Sequence, residues 1–186
     1  MLRKSRLIRT SHLVFLLPSP RMGNPIWLQR KKDPVCLLYL DGVQNPHNIG
    51  SILRTAAHFG IPYLLGQKEK LPRLTPSACR IAKGGAESVQ LVYLDNPLQA
   101  LAQLKKLGFS LIGTSGQGQN SLYPFSFPAK SIIAFGAESD GMGKPLLQIA
   151  SHILHIPGTG VVESLNVSVA ASLALGEYFR QHTGHL

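Results

Sequence analysis

The sequence predicts a single α/β domain built on a mostly parallel sheet with helices on both faces. Short, wholly apolar runs recur from residue 35 onward, the pattern of strands covered on both sides. Segments with helical spacing of apolar residues alternate with these runs. Glycines and oddly placed polar residues collect just after the strand-like runs, where open parallel sheets bind their ligands. A chain of 186 residues is enough for one well-buried domain and short for two.

The elements follow in order. "VCLLYL" (35–40) reads as a buried strand. "IGSILRTAAHFG" (49–60) spaces Ile49, Ile52, Leu53, Ala56 and Ala57 as a helix does, with Gly60 as its stop. "IPYLL" (61–65) is the next strand. "TPSACRIAKGG" (75–85) opens a helix on Thr75 as N-cap and Pro76 at the first helical position. "SVQLVYL" (88–94) returns to a strand. "NPLQALAQLKKLG" (96–108) is an amphipathic helix capped by Asn96 and started by Pro97. "FSLIGTS" (109–115), "SIIAFGA" (131–137) and "HILHIPG" (152–158) are strand-like, with a short helix near 144–150. A last helix is expected from about 164 to 181. No internal repeat is visible.

The formal charge of +10 is unevenly placed. Arg3, Lys4, Arg6, Arg9, Arg21, Arg30, Lys31 and Lys32 precede the first acidic residue, Asp33, and leave the remainder of the chain nearly balanced. Residues 1–34 therefore read as a basic, flexible extension and 35–186 as the folded domain. Such an extension attracts polyanions, chiefly nucleic acid, by counterion release; a solvated linker is the alternative. "LVFLL" near the N-terminus is too short for a signal sequence and lacks a cleavage site. No window approaches a membrane span. Cys36 and Cys79 are isolated, as expected of reduced thiols in a cytoplasmic protein.

Several familiar chemistries fail on their neighbours. "GTSGQGQN" (113–120) follows a strand, but "SLYPFSFPAK" after it has no helical period to receive a dinucleotide pyrophosphate. Gly143-Lys144 precedes Pro145, which lacks the hydroxyl of a P-loop. "GTSGQ" is not a nucleophile elbow. His152 and His155 would point to opposite faces of a strand, so a metal site is not expected. Asn48, Arg54, Glu138, Ser164 and Asn166 remain, clustered at strand ends without a nucleophile–base pair. Each has a duller reading. Asn48 and Ser164 fit helix caps, Arg54 a solvated helix position, Glu138 a turn, and Asn166 a donor to a loop carbonyl.

Three segments carry more than this. "NPHNIGSILRTAAHFGI", "IIAFGAESDGM" and "IPGTGVVESLNVSVAASLALGEYFR" resemble, in order and spacing, the three motifs of the SpoU-type (TrmH-like) RNA ribose 2′-O-methyltransferases of the SPOUT class. The resemblance spans roughly residues 35–181. It implies a C-terminal trefoil knot formed by the loops at 136–143 and 157–165, with S-adenosylmethionine held there. Backbone groups around Gly136, Ile156 and Leu165, with the Gly113-Thr114 turn, would hold that cofactor, Asn166 beside them. Asn48, Arg54, Glu138, Ser164 and Asn166 would surround the reacting ribose. Arg54 would clamp the RNA phosphate and stabilise charge on the attacking oxygen, since a guanidinium stays protonated. The small residues Ala170, Ala171, Ser172, Ala174 and Gly176 would let the last helix pack closely, in a homodimer of this family or simply in the core.

"GAESDGM" and "AKGGAESV" are similar to the members acting on guanosine of large-subunit rRNA, which makes rRNA the expected substrate. A tRNA substrate and a non-catalytic RNA-binding or ribosome-assembly role are the alternatives. The basic extension stands where many members carry an N-terminal RNA-binding domain.

Overall fold

A computed structural model describes residues 34–183 of the chain. The basic N-terminal stretch, and its reading as a flexible extension, fall outside them.

Seven strands run Val35–Asp41 (β1), Tyr63–Gln67 (β2), Gln90–Leu94 (β3), Ser110–Thr114 (β4), Asn120–Ser121 (β5), Lys130–Gly136 (β6) and His152–His155 (β7). Six helices run Pro46–His58 (α1), Pro76–Ala82 (α2), Gly85–Ser88 (α3), Pro97–Lys106 (α4), Lys144–Ile149 (α5) and Val167–His182 (α6). The sheet order is β3-β2-β1-β6-β4-β7-β5, and every strand pairing in it is parallel. The expected mostly parallel sheet is thus wholly parallel among the described residues.

Strand alternation sorts the core into two layers. Leu38 and Leu40 of β1 face α1 and α6, meeting Ile52, Leu53, Ala171 and Leu175. Leu37 and Tyr39 face the other way, toward Leu101 and Leu104 of α4 and Leu146 of α5. Each fully buried leucine contributes about 1.5–3 kcal/mol through area removed from water. Burial also pushes the Cys36 thiol and the Tyr39 phenol well above their ordinary pKa values.

The caps at Thr75 and Asn96 are as expected: their side-chain oxygens accept from Ala78 N (3.2 Å) and Gln99 N (3.2 Å). Two helix starts differ. α1 begins at Pro46 on Asn45, whose Oδ1 accepts from His47 N at 2.9 Å. Asn48 therefore does not cap the helix; it lies within the first turn and is buried. α6 begins at Val167 on Asn166, so Ser164 is not its cap. The unforeseen β5 is two polar residues long and pairs on β7 through Asn120–Leu154 and Ser121–His155. Such an edge piece has no apolar pattern to betray it. The proline-rich stretch after it is fastened by α6: Gln181 donates to Phe125 O and accepts from Phe127 N, both at 2.8 Å, and Tyr178 Oη donates to Ala129 O at 2.6 Å.

α1 is gripped along one side by α2 and α3. A Cβ on Gly50 would stand 2.7 Å from the Ala78 carbonyl oxygen, and one on Gly85 2.7 Å from that of Leu53. Gly50→Ala is consequently expected to lower the urea midpoint, costing about 1–3 kcal/mol by overpacking, although helix propensity alone favours alanine by about 1 kcal/mol. A raised midpoint would show that α2 yields freely. Both cysteines are free, Cys36 buried and Cys79 exposed. One thiol should react rapidly with a disulfide reagent in the native chain and the second only on unfolding; two fast thiols would contradict the burial of β1.

Candidate active site

The sheet order changes direction beside β1. Asp41 of β1 pairs with Gly136 of β6, Gly113 of β4 with Ala134 of β6, and Thr114 with Leu154 of β7. The loops after β1, β4, β6 and β7 therefore start side by side, at the switch point where such sheets bind ligands.

Three polar side chains from three of these regions meet. Because Asn45 takes the cap, Asn48 falls one turn into α1 and is only 7% exposed. Glu138 follows β6 in a segment that folds back on itself: Ala137 N donates to Asp41 O (3.0 Å) and Gly141 N to Ala137 O (2.8 Å). Asn166 has its Oδ1 committed to Ser168 N (2.9 Å) and Ser168 Oγ (2.6 Å) at the start of α6. That commitment turns its amide nitrogen inward, where it donates to Glu138 Oε1 (2.6 Å) and Asn48 Oδ1 (3.0 Å). Asn48 Nδ2 closes the ring on Glu138 Oε1 at 3.2 Å, and Val167 N adds a longer bond at 3.4 Å. A carboxylate accepting several N–H donors is a charge-assisted anchor, stronger than neutral pairs. All these bonds fall on Oε1, leaving Oε2 with open acceptor capacity.

The expected cofactor residues frame the same end of the sheet. Thr114 Oγ1 donates to Ala134 O (2.9 Å), and Ser115 N to Leu154 O (2.9 Å), which fixes the turn after β4. A Cβ on Gly116 would lie 2.9 Å from the Glu163 carbonyl oxygen, so the loops after β4 and β7 touch. The close approach that Gly136 permits is taken up by the chain's own Gly141–Met142 turn, and Met142 also covers Gly113. Among the described residues, no amide from Ile156 to Leu165 donates a main-chain hydrogen bond within the protein. A loop of uncommitted N–H groups beside glycine-built turns fits a cofactor recognised through main-chain atoms.

Arg54 and Ser164 are not part of this ring. Arg54 is six residues beyond Asn48, about 120° around the helix. It lines a groove of about 590 Å³ between α1, the α2–α3 turn and Ser172 of α6. Ser164 is exposed in the loop before α6. Two contributors were not foreseen. Ser168 orients the Asn166 amide, and its only sequence signal is the Asn-x-Ser spacing. Lys83 stands on the groove wall in a left-handed conformation that no pattern announces. Of the histidine pair, His152 packs against the Phe125 ring with centroids 5.0 Å apart. Among the described residues no three His, Cys, Asp or Glu side chains form a metal-ligand group, and no helix is long and apolar enough to cross a membrane.

An α/β sheet whose switch point is closed by Asn48, Glu138 and Asn166, one from each motif, defines a class. The chain belongs to the SpoU rRNA Methylase family, which it matches over residues 36–176. It is 38% identical over 156 residues to the 23S rRNA (guanosine-2'-O-)-methyltransferase RlmB of Pseudomonas syringae pv. tomato, a match covering 84% of this chain and 62% of that protein. The chain thus spans less than two thirds of that relative's length. Among solved structures, the A. aeolicus TrmH/SpoU tRNA modifying enzyme superposes with a TM-score of 0.72 at 28% identity, covering 83% of this chain and 78% of that one. The SpoU methyltransferase AviRb of Streptomyces viridochromogenes, solved with AdoMet, has the same fold with a TM-score of 0.75 at 24% identity, covering 82% and 62%.

The ring of amides makes a charge-sensitive test. Asn166→Asp keeps the cap acceptor but sets a second carboxylate against Glu138. Like charges at that distance raise the pKa of one of them, so the variant is destabilised when both are ionised and relieved when one is protonated. Its melting deficit relative to the parent should be large at about pH 7.5 and narrow toward about pH 4, the ordinary carboxyl range. A deficit independent of pH would place residue 166 away from Glu138.

Proposed function

We propose that residues 35–186 form a catalytic domain that transfers the methyl group of S-adenosylmethionine to a ribose 2′-hydroxyl in RNA, with guanosine in large-subunit rRNA as the substrate. The observation that carries this is the Asn48–Glu138–Asn166 ring, which joins the three family motifs at one end of the sheet. The 38% identical relative named for 23S rRNA guanosine supports the substrate. A tRNA substrate is the second reading, favoured by the 28% identical tRNA modifying enzyme, most of whose length this chain covers.

In this reading the cofactor supplies a methyl group already activated by its sulfonium, so the protein's task is alignment and help with one proton. Main-chain groups at Gly136, Ile156 and Leu165 and the Gly113-Thr114 turn hold the cofactor, with Asn166 beside it. Glu138 fixes the two amides, and Ser164 faces the ribose from the loop. Arg54 clamps RNA phosphate and stabilises the hydroxyl oxygen as it gains negative charge. The loops at 136–143 and 157–165 form the knot of the family, a reading supported by the close passage of Gly116 past Glu163.

Arg54 lies away from the ring within one chain, which supports a homodimer in which it serves the partner's loops. Val169 (47% exposed) and Leu173 (37%) lie one turn apart on the exposed side of α6, and Val161, Val162 and Leu165 of the preceding loop are exposed as well. An apolar strip of this kind is suited to burial against a second copy. The protein would act in the cytoplasm, with the basic extension adding general affinity for RNA.

The test is tritiated methyl transfer from S-adenosylmethionine to 23S rRNA and, separately, to tRNA. Arg54→Ala should reduce transfer at least about a hundredfold, the scale of losing one oxyanion donor, while S-adenosylhomocysteine affinity stays within a few fold. Incorporation into neither RNA, with RNA binding intact, would favour the non-catalytic assembly role.

A further inference from the structure

The groove beside Arg54 carries features that its lining by one family residue does not explain. Arg54, His58 and Lys83 all face it, and none of its lining residues is acidic. Arg54 and Lys83 have no acidic partner among the described residues, whereas exposed Lys68 and Arg180 are each paired, to Asp95 and Glu177. Unpaired cations gathered in a concavity concentrate a positive field and attract an anion.

Lys83 is a second oddity. It is the only non-glycine described residue with positive φ, at φ 49°, ψ 48°. L side chains adopt this region reluctantly, and glycine is the usual residue at such a helix end. Here glycines follow at Gly84 and Gly85 while the strained position keeps a lysine. Gly85 is pressed against the Leu53 carbonyl, which holds the turn against α1 and so keeps Lys83 close to Arg54.

The groove's size selects its occupant. About 590 Å³ is on the scale of one small-molecule site and too small for a duplex. Its half-buried lining, the floor beneath exposed Arg54, His58 and Lys83, is mixed, with Phe59 and the Thr55–Ser172 hydroxyl pair at 3.1 Å. A cationic rim over a partly aromatic, partly hydroxylic floor matches one nucleotide of a single strand, phosphate outward.

We propose that this groove holds one nucleotide of the RNA strand that carries the methylated ribose, with Lys83 and His58 joining Arg54 in contacting its phosphodiester. The inference rests on the RNA-directed reading above but concerns binding, not transfer. It assigns Lys83 to substrate affinity and predicts a separable phenotype.

The experiment measures binding of a fluorescein-labelled, single-stranded, guanosine-containing RNA by anisotropy across a salt series. The proteins are the full chain, Lys83→Gln, Lys83→Gly, and the control Lys106→Glu on α4, across the sheet. Lys83→Gln should weaken binding about three- to tenfold and lower the log–log salt slope by about 0.7, the value for one phosphate of a single strand. Lys83→Gly should weaken binding equally while raising the melting temperature, because it relieves the left-handed position. Lys106→Glu should stay within about twofold with the slope intact, and S-adenosylhomocysteine affinity should be unchanged throughout. Unchanged RNA affinity and slope in both Lys83 variants, or an equal loss in Lys106→Glu, would overturn the proposal. Methyl transfer whose KM for RNA ignores Lys83 would overturn it while leaving the proposed activity standing. Lys83-dependent binding without any transfer would leave the groove assigned and remove the activity. No binding of RNA by the parent chain would remove both.

Discussion

The side-chain amide of Asn166 is the joint on which the site depends. One end accepts from the first turn of α6, and the other donates to residues 28 and 118 positions earlier in the chain. Neither end can be exchanged, because an amide oxygen cannot donate and an amide nitrogen cannot accept. The start of α6, the segment after β6 and the first turn of α1 are thereby held to one relative geometry. A buried Asn48 without those partners would carry the full cost of an unsatisfied amide, about 1–3 kcal/mol.

Backbone proximity does the rest. Gly136, Gly116 and Gly85 each stand where any side chain would collide with another segment's main chain. These contacts close the loops onto the sheet without using side chains, and among the described residues the amides of Ile156 and of residues 158–165 donate no main-chain hydrogen bond. That division suits a site in which side chains handle a substrate and main-chain groups a cofactor. It also places these elements at the open carboxyl ends of the strands, where sheets of this kind bind ligands.

Much of this was legible before the structure. The strands at 35–41 and 130–136 announce themselves as apolar runs, and Thr75-Pro76 and Asn96-Pro97 announce helix starts. Asn45-Pro46 has the same grammar, but the apolar spacing begins only at Ile49, which makes Asn48 read as the cap. Pro46 and His47 extend the helix one turn earlier with no apolar residue to mark it. Ser164 lost the second cap to Asn166 because the loop runs on through exposed Val161 and Val162. The meeting of Asn48, Glu138 and Asn166 followed from motif resemblance, not periodicity, since contacts across 90 or more positions leave no local trace. The groove beside Arg54 depends on how α2 and α3 turn, and Lys83 in its left-handed conformation is invisible to any pattern of hydrophobicity.

The hydroxyls of Thr55 on α1 and Ser172 on α6 would also discriminate among occupants of the nucleotide groove proposed above. Ser172 Oγ donates its single proton to Ser168 O at 2.8 Å, so the proton shared with Thr55 must come from Thr55. The floor is then left offering lone pairs rather than hydrogens. A phosphate oxygen gains nothing there, but a sugar hydroxyl with a proton to give does, and deoxyribose has none at its 2′ carbon. In the proposed nucleotide site, the direction of these two hydroxyl protons would favour ribose over deoxyribose.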